Sequence, residues 1–158
     1  MRNRGRLVVT TILVSLGIGT ATACPCKLKS PAEAFEQAPY VFTGAIVEAD
    51  RHLWRVAVDR VWKGGDKVTS SVRLMDAHAA TPCESAFELG RTYLFFAALG
   101  KGVLGKDPVL FFHPRVCSWT SLLRSRRFVT AEHESLWIED LIVRDYGPGS
   151  PPGRHSHE

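Results

Sequence analysis

Four cysteines carry the first chemical signal in this sequence of 158 residues. Cys24 and Cys26 are separated by Pro25 alone, whereas Cys83 and Cys117 stand far along the chain. A Cys24–Cys26 bridge would close a strained ring, so we expect each of the two to pair with a distant cysteine, in either order. A redox role is disfavoured because it would leave the other two thiols idle. A zinc site is disfavoured because the four cysteines lack paired spacings of two to four residues on both sides.

The first 23 residues predict a secretory signal peptide. Three arginines lie within the first six residues, a mostly apolar run covers 7–18, and the small residues Ala21-Thr22-Ala23 precede Cys24. This order is typical of a cleaved export signal, and the apolar run is too short to span a bilayer. We expect cleavage after Ala23 and a protein that is secreted or held in the periplasm or cell envelope. Processing as a lipoprotein, with a lipid on Cys24, is the alternative.

The remaining chain, 24–158, suits one domain with a tail. Removing three arginines and no acidic residue lowers the formal net charge from +4 to +1, which argues against a nucleic-acid partner. An even number of cysteines in an oxidising compartment predicts two disulfides, each stabilising the fold by about 4 kcal/mol. The Gly- and Pro-rich composition after Asp145 predicts a domain over 24–145 and a disordered tail over 146–158.

Five segments have the composition or alternation of β-strands. Gly44 falls inside the first and predicts a bulge or a close approach. The second places Trp54, Val56 and Arg60 on one face, and the apolar run of the fourth predicts burial on both faces. The strands are predicted over 40–49, 53–62, 67–74, 91–99 and 109–114.

One helix is predicted before the strands and one after them. Ser30 and Pro31 have the types favoured at a helix start, so a short helix should cover 32–38 with Phe35 facing inward. Thr130 is the expected N-cap of a helix that runs to Val143. Five short strands flanked by two helices predict a mainly β protein, a five-stranded barrel of the OB-fold type.

The other reactive side chains do not predict an enzyme. Asp59 and Glu88 have no carboxylate partner at a useful spacing, and a Gly-x-Ser-x-Gly motif is missing from the sequence. We therefore expect no cofactor and no resident metal. Aromatic residues could stack on bases, but without a basic groove they predict core packing. The scattered histidines are His52, His78, His113 and His133, and the aromatic residues are Trp54, Trp62, Phe95 and Phe96.

Taken in order, the motifs resemble those of the tissue inhibitors of metalloproteinases, within the netrin-like group of OB-folds. The similarity spans about 24–141 and looks like a bacterial-type, single-domain member. The matching motifs are Cys24-x-Cys26, Phe35 in the first helix, Val41-Phe42-x-Gly44-x-Ile46-Val47, Val58-x-x-Val61-Trp62-Lys63-Gly64, Cys83, Gly90-x-x-Tyr93-Leu94-Phe95 and Cys117-x-Trp119-x-x-Leu122.

The resemblance implies the disulfides Cys24–Cys83 and Cys26–Cys117. It also implies that the α-amine and carbonyl oxygen of Cys24 chelate the catalytic zinc of a zinc metalloendopeptidase. Pro25 would enter the substrate pocket of that protease, flanked by Pro82, Cys83 and Glu84. On this interpretation the chain acts as a secreted inhibitor and a monomer.

The sequence departs from the animal inhibitors at several points. Pro25 replaces the small, often hydroxyl-bearing residue that they place in the pocket. Pro82 precedes Cys83, and four cysteines cannot make the third N-terminal bridge or the disulfide-bonded C-terminal domain of those proteins. Since a fold does not determine a function, a netrin-like binding module with purely structural disulfides is the alternative.

Overall fold

The computed structural model describes residues 27, 29–51, 53–76, 87–104, 107–112, 119–131 and 133–153. Within these ranges the chain is mainly β, with a helix before the strands and another after them, as the sequence predicts. The elements are α1 (Pro31–Gln37), β1 (Tyr40–Asp50), β2 (Leu53–Lys63), β3 (Ser71–Asp76), β4 (Thr92–Leu104), β5 (Asp107–Phe112), β6 (Ser121–Leu122), β7 (Arg127–Val129), β8 (Ser135–Trp137) and α2 (Ile138–Tyr146).

The strand β1 joins the two halves of the main sheet because it pairs on both sides. It is antiparallel to β2 along one edge and to β4 along the other. The β2–β3 and β4–β5 ladders are also antiparallel, whereas β3 and β5 run parallel. Following the ladders from β1 through β2, β3, β5 and β4 therefore leads back to β1.

Two apolar clusters form the core, one on each face of β1 and β4. Phe42 and Phe95 point into the inner cluster, while Val41, Leu94 and Phe96 point to the opposite face. The fourth predicted strand is thus buried on both faces, as its apolar run indicates. The inner cluster also contains Ile46, Trp54, Val56, Val61, Val68, Val72, Leu74, Phe87, Tyr93 and Ala97, and the outer one Phe35, Trp119, Ile138 and Ile142.

Gly44 lies where β1 and β2 approach each other closely. A Cβ atom at this position would stand 2.5 Å from the carbonyl oxygen of Ala57 and 2.5 Å from a methyl group of Val56. Such distances are far inside van der Waals contact, so only glycine fits without a shift of the neighbouring strand. The predicted close approach is confirmed.

A bulge in β2 changes which of its side chains enter the core. Thr43 lies opposite Arg60 and Gly44 opposite Val58, so Asp59 is an extra residue in β2. An extra residue reverses the alternation beyond it. Val61 is consequently buried and Arg60 exposed, which corrects the prediction that Arg60 lies on the same face of the strand as Trp54 and Val61 on the other.

The described strand boundaries differ from the predicted ones after the second strand. The third strand covers Ser71–Asp76, and Val68 is fully buried in the preceding turn. The fourth strand continues to Leu104 and the fifth begins at Asp107. Alternation alone misplaces such ends because it does not reveal how far the partner strand continues.

The C-terminal helix begins eight residues after the predicted N-cap. Thr130 instead accepts and donates main-chain hydrogen bonds in the turn of a hairpin, with His133 at φ 66°. The hairpin joins β7 to β8, and its pairing of Arg127 with Trp137 holds residues 135–137 in an extended conformation. The helix can start only after this pairing ends, at Ile138.

Residues 147–153 lie against β2, although their composition predicts a disordered tail. Ser150 exchanges two main-chain hydrogen bonds of 2.8 Å with Val61, and Gly153 bridges to Thr69. The indole N–H of Trp62 donates to the Gly147 carbonyl at 2.7 Å. We call this segment the C-terminal strap; it covers an edge of β2 that β3 leaves unpaired.

Neither described helix has the length and apolar character needed to cross a membrane.

Candidate functional site

The residues of the predicted protease-binding site lie outside the described residues, so their arrangement stays a prediction. The same holds for the two disulfides that the family resemblance implies. The residues concerned are Cys24, Pro25, Cys26, Pro82, Cys83, Glu84 and Cys117. The described residues show which contacts hold the neighbouring segments in place.

A hydrogen bond joins the segment that follows Cys26 to the segment that follows Cys117. The indole N–H of Trp119 donates to the carbonyl oxygen of Lys29 at 2.9 Å, across 90 residues of sequence. Trp119 is only 6% exposed. A buried indole N–H needs an acceptor, and here the acceptor is main chain. This contact places Lys29 against the segment that leads into β6.

The side chain of Trp119 is held on several sides. The guanidinium of Arg126 lies 4.6 Å from the centre of its ring, and Phe128 contacts it edge-on at 5.8 Å. The next residue, Thr120, is fully buried, and its hydroxyl accepts a 3.0 Å hydrogen bond from the Phe96 N–H of β4. The indole N–H is therefore a rigid donor attached to the sheet.

The helix α1 begins directly after Lys29 and is capped by its own side chains. The Ser30 hydroxyl accepts from the Glu33 N–H at 3.2 Å, and the Glu33 carboxylate accepts from the Ser30 N–H at 2.9 Å. This reciprocal pair is a capping box, with Pro31 at the first helical position. The Ser30 backbone hydrogen bond lowers the pKa of Glu33 most, followed by the bond with the Ser30 hydroxyl.

The other end of α1 is capped by Lys63 of β2. Its ammonium group donates hydrogen bonds of 2.9 Å to the carbonyl oxygens of both Phe35 and Glu36. A cation is favourable at this end because the last carbonyls of a helix lack main-chain partners and carry partial negative charge. Lys63 thus ties α1 to the sheet. In the sequence Lys63 stands out only as part of a motif, and a lone lysine gives no signal for this role.

A ring contact ties α1 to α2. Phe35 stacks on Tyr146, with the ring centroids 3.6 Å apart and the planes inclined by 13°. Burial raises the pKa of the Tyr146 hydroxyl, and the nearby charges of Glu36 and Asp145 raise it further. The prediction that Phe35 faces inward is confirmed. The helix after the predicted Cys24-x-Cys26 terminus is therefore fixed to both the sheet and the second helix.

The described residues resume at Phe87, three residues after Glu84. That ring is buried and meets Trp54 and Tyr93 edge-on, with centroids 5.1 and 4.8 Å away. The Glu88 N–H donates to the Tyr93 hydroxyl at 2.9 Å. These contacts hold Phe87 in the inner cluster.

The two carboxylates considered in the sequence lie on the surface, each beside an arginine. Asp59 and Glu88 are exposed and form surface ion pairs of 3.7 Å with Arg60 and Arg91. His133 is exposed in a turn. Within the described ranges, three or more histidine, cysteine or acidic side chains nowhere come close enough to hold a metal ion.

The aromatic side chains that could have stacked on bases are used for packing. Trp54, Phe95 and Phe96 are at most 5% exposed, and all three belong to the two core clusters. Trp62 is half-buried beneath the C-terminal strap, which its N–H also binds. The core-packing interpretation of these residues is confirmed.

Neither a scan against protein-family models nor a search of curated proteins finds a match for this sequence. The resemblance to the tissue inhibitors of metalloproteinases therefore rests on the order of the sequence motifs.

Proposed function

We propose that this chain is an exported inhibitor of zinc metalloendopeptidases that acts through a new N-terminus at Cys24. In this proposal the α-amine and carbonyl oxygen of Cys24 bind the catalytic zinc of the protease and displace its water. Pro25 enters the adjoining substrate pocket, beside Pro82, Cys83 and Glu84. The zinc belongs to the partner, and the inhibitor brings no metal of its own.

The hydrogen bond between Trp119 and Lys29 is the observation that carries this proposal. It places the main chain three residues after Cys26 next to a side chain two residues after Cys117. A Cys26–Cys117 bridge needs this kind of proximity, because the Cα atoms of a disulfide are usually 4.4–6.8 Å apart. The anchoring of α1 by Lys63 and Tyr146 adds support, since it holds the same segment from its other end.

We also propose that β1 to β5 of the main sheet form a five-stranded barrel of the OB-fold type. The order of the ladders supports this architecture, since they lead from β1 through β2, β3, β5 and β4 back to β1. The inner apolar cluster has the side chains expected of a filled barrel interior. A barrel would give the N-terminal segment a rigid base.

The chemistry of an α-amine suits the proposed mechanism. Its pKa of about 7.7 to 8 leaves a neutral, ligating fraction near pH 7, and metal binding enlarges that fraction by displacing the proton. A catalytic zinc keeps one coordination position open for water or substrate. A terminus held by two disulfides would lose little conformational entropy when it docks.

The test compares the mature protein, beginning at Cys24, with a version that carries one additional alanine before Cys24. The mature form should inhibit a member of a broad panel of zinc endopeptidases at a near-stoichiometric ratio. The extended form should not inhibit, because its α-amine is displaced from the zinc, although its bridges and melting temperature remain unchanged. Carbamylation of the α-amine should abolish inhibition in the same way.

A substitution at Pro25 separates the pocket contact from the zinc contact. Pro25→Thr should inhibit as well as the mature protein or better, because threonine restores the N–H and the small hydroxyl side chain that animal inhibitors place there. Equal inhibition by the mature and extended proteins would exclude chelation by the terminus. If neither inhibits any protease in the panel, the binding module with structural disulfides becomes the better proposal.

A further inference from the structure

We propose that Trp119 is a positioning residue that sets the path of the N-terminal segment through the carbonyl group of Lys29. This inference rests on the proposed inhibitory function, but the contact itself involves only described residues. The hydrogen bond joins Lys29, the last residue before the Ser30 cap of α1, to Trp119, which lies next to the sheet. It gives Trp119 a role beyond filling the outer core.

The Lys29 carbonyl stands outside the hydrogen-bonding pattern of α1. The first helical bond runs from the Ala34 N–H to the Ser30 carbonyl at 2.9 Å, and the capping box uses the N–H and hydroxyl of Ser30. The N–H of the peptide group between Lys29 and Ser30 is held by the Glu33 carboxylate of α1 at 2.9 Å. The Trp119 indole binds the carbonyl oxygen of the same peptide group, so it ties to the sheet a group that the helix holds from the other side.

The donor is suited to this role because it cannot move independently of the sheet. Arg126 covers one face of the indole, Phe128 contacts its edge, and Thr120 is bonded to β4. Restraining a segment in its bound conformation improves affinity by reducing the entropy lost on docking. The effect should appear as faster dissociation of the inhibited complex when the restraint is removed.

Trp62 provides a matched control within the same chain. Its indole N–H donates to the Gly147 carbonyl at 2.7 Å, so it also joins the sheet to a terminal segment. Trp62→Phe and Trp119→Phe each remove one indole N–H from a main-chain acceptor. Trp62 holds the C-terminal strap, whereas Trp119 holds Lys29.

The experiment measures two properties of each variant in the mature, disulfide-intact protein. Inhibition constants and dissociation rates are measured against the protease identified in the panel. Hydrogen exchange is measured for the peptide that contains residues 27–30. Trp119→Phe should weaken inhibition about five- to tenfold and speed exchange in that peptide. Trp62→Phe should leave both properties unchanged and speed exchange in residues 147–153.

A second substitution covers the case in which Trp119→Phe does not fold. Replacing Trp119 with 3-benzothienylalanine keeps the bicyclic shape and removes only the N–H donor. It should show the same weaker inhibition and faster exchange as the phenylalanine variant.

The two readouts separate failure of this inference from failure of the proposed function. Unchanged exchange in 27–30 would overturn the positioning role, whether or not the protein inhibits a protease. If both Trp119 variants inhibit the protease as well as the wild type does, the positioning role is also overturned. The inhibitory function then stays in place. Faster exchange in a protein that inhibits no protease would overturn the function and, with it, the inhibitory role of Trp119.

Discussion

Phe35 and Tyr146 stack face to face, and this contact links the helix at each end of the described chain. The ring centroids are 3.6 Å apart. Phe35 is 5% exposed and also lies 5.4 Å from the Lys63 ammonium group. The Phe35 ring therefore contacts both α2 and the end of β2. Substitutions at its neighbours Tyr146 and Lys63 should change the free energy of unfolding of the whole domain.

The ionisation of Tyr146 should make this contact sensitive to high pH. Its folded-state pKa lies above its ordinary value because burial disfavours the phenolate. An unfolded tyrosine ionises near pH 10, so above about pH 10 the unfolded state releases this proton before the folded state does. The free energy of unfolding should consequently fall as the pH rises through 10 towards the folded-state pKa.

Tyr146→Phe isolates this effect because it keeps the ring and removes the ionising hydroxyl. Urea unfolding of the two proteins between pH 8 and 11 should show a smaller loss of stability in the variant at the alkaline end. Parallel curves over the whole range would show that the folded and unfolded states bind the Tyr146 proton equally well.

Gly44→Ala should destabilise the domain strongly. The new methyl group would stand 2.5 Å from the Ala57 carbonyl oxygen, which belongs to the main chain of β2 and cannot rotate away. Overpacking of this kind typically costs about 1–3 kcal/mol, and occasionally more. Gly65→Ala is the control, because a Cβ atom there meets nothing within 4 Å, and its free energy of unfolding should change by less than about 0.5 kcal/mol. Equal effects at the two glycines would contradict the close approach.

The strap should contribute to stability and protect a strand edge. Removing residues 147–158 deletes the two hydrogen bonds between Ser150 and Val61, worth about 1–3 kcal/mol together. It also uncovers part of the β2 edge, and uncovered edges favour pairing with other chains. We expect a lower midpoint in urea and concentration-dependent self-association in light scattering. A disordered tail would allow the truncation with no change in either measurement.

Two glycines distinguish backbone strain from steric conflict in the strap. Both have positive φ angles, +82° at Gly147 and +74° at Gly149. A Cβ atom on Gly149 would lie 2.9 Å from the Trp62 ring, whereas one on Gly147 meets nothing within 4 Å. Gly147→Ala should therefore lower the free energy of unfolding through backbone strain alone, by roughly 1–3 kcal/mol. Gly149→Ala should lower it more, because it adds the conflict with the Trp62 ring. The prediction fails if thermal unfolding ranks the two variants in the opposite order.

Lys63→Met should loosen α1 while keeping most of the packing of the lysine stem. It removes both hydrogen bonds to the Phe35 and Glu36 carbonyls, and we expect a loss of about 1 kcal/mol in the free energy of unfolding. Hydrogen exchange should accelerate at the end of α1. Lys67→Met, at an exposed position of the following turn, should change neither measurement. An unaltered exchange rate at residues 35–38 would show that Lys63 does not hold the helix.

The local pattern of residues was sufficient for the parts of the fold that depend on neighbours in sequence. Ser30, Pro31 and Glu33 specify the start of α1 within one turn, since the capping groups are all local. Alternation and apolar runs predicted five strands and the double burial of β4. The motifs around Cys24 also led to the functional proposal, because their chemistry depends on residue types and order.

Tertiary contacts decided the features that depend on residues far apart. The start of α2 was displaced because the β7–β8 pairing uses the residues expected in its first turn. The strap is held by hydrogen bonds to the main chain of Val61 and the indole of Trp62. Its glycines and prolines predict disorder when they are considered without the rest of the fold, but in the folded chain they lie against β2. The acceptor of the Trp119 N–H lies 90 residues away in sequence, and only the folded chain brings that donor and acceptor together.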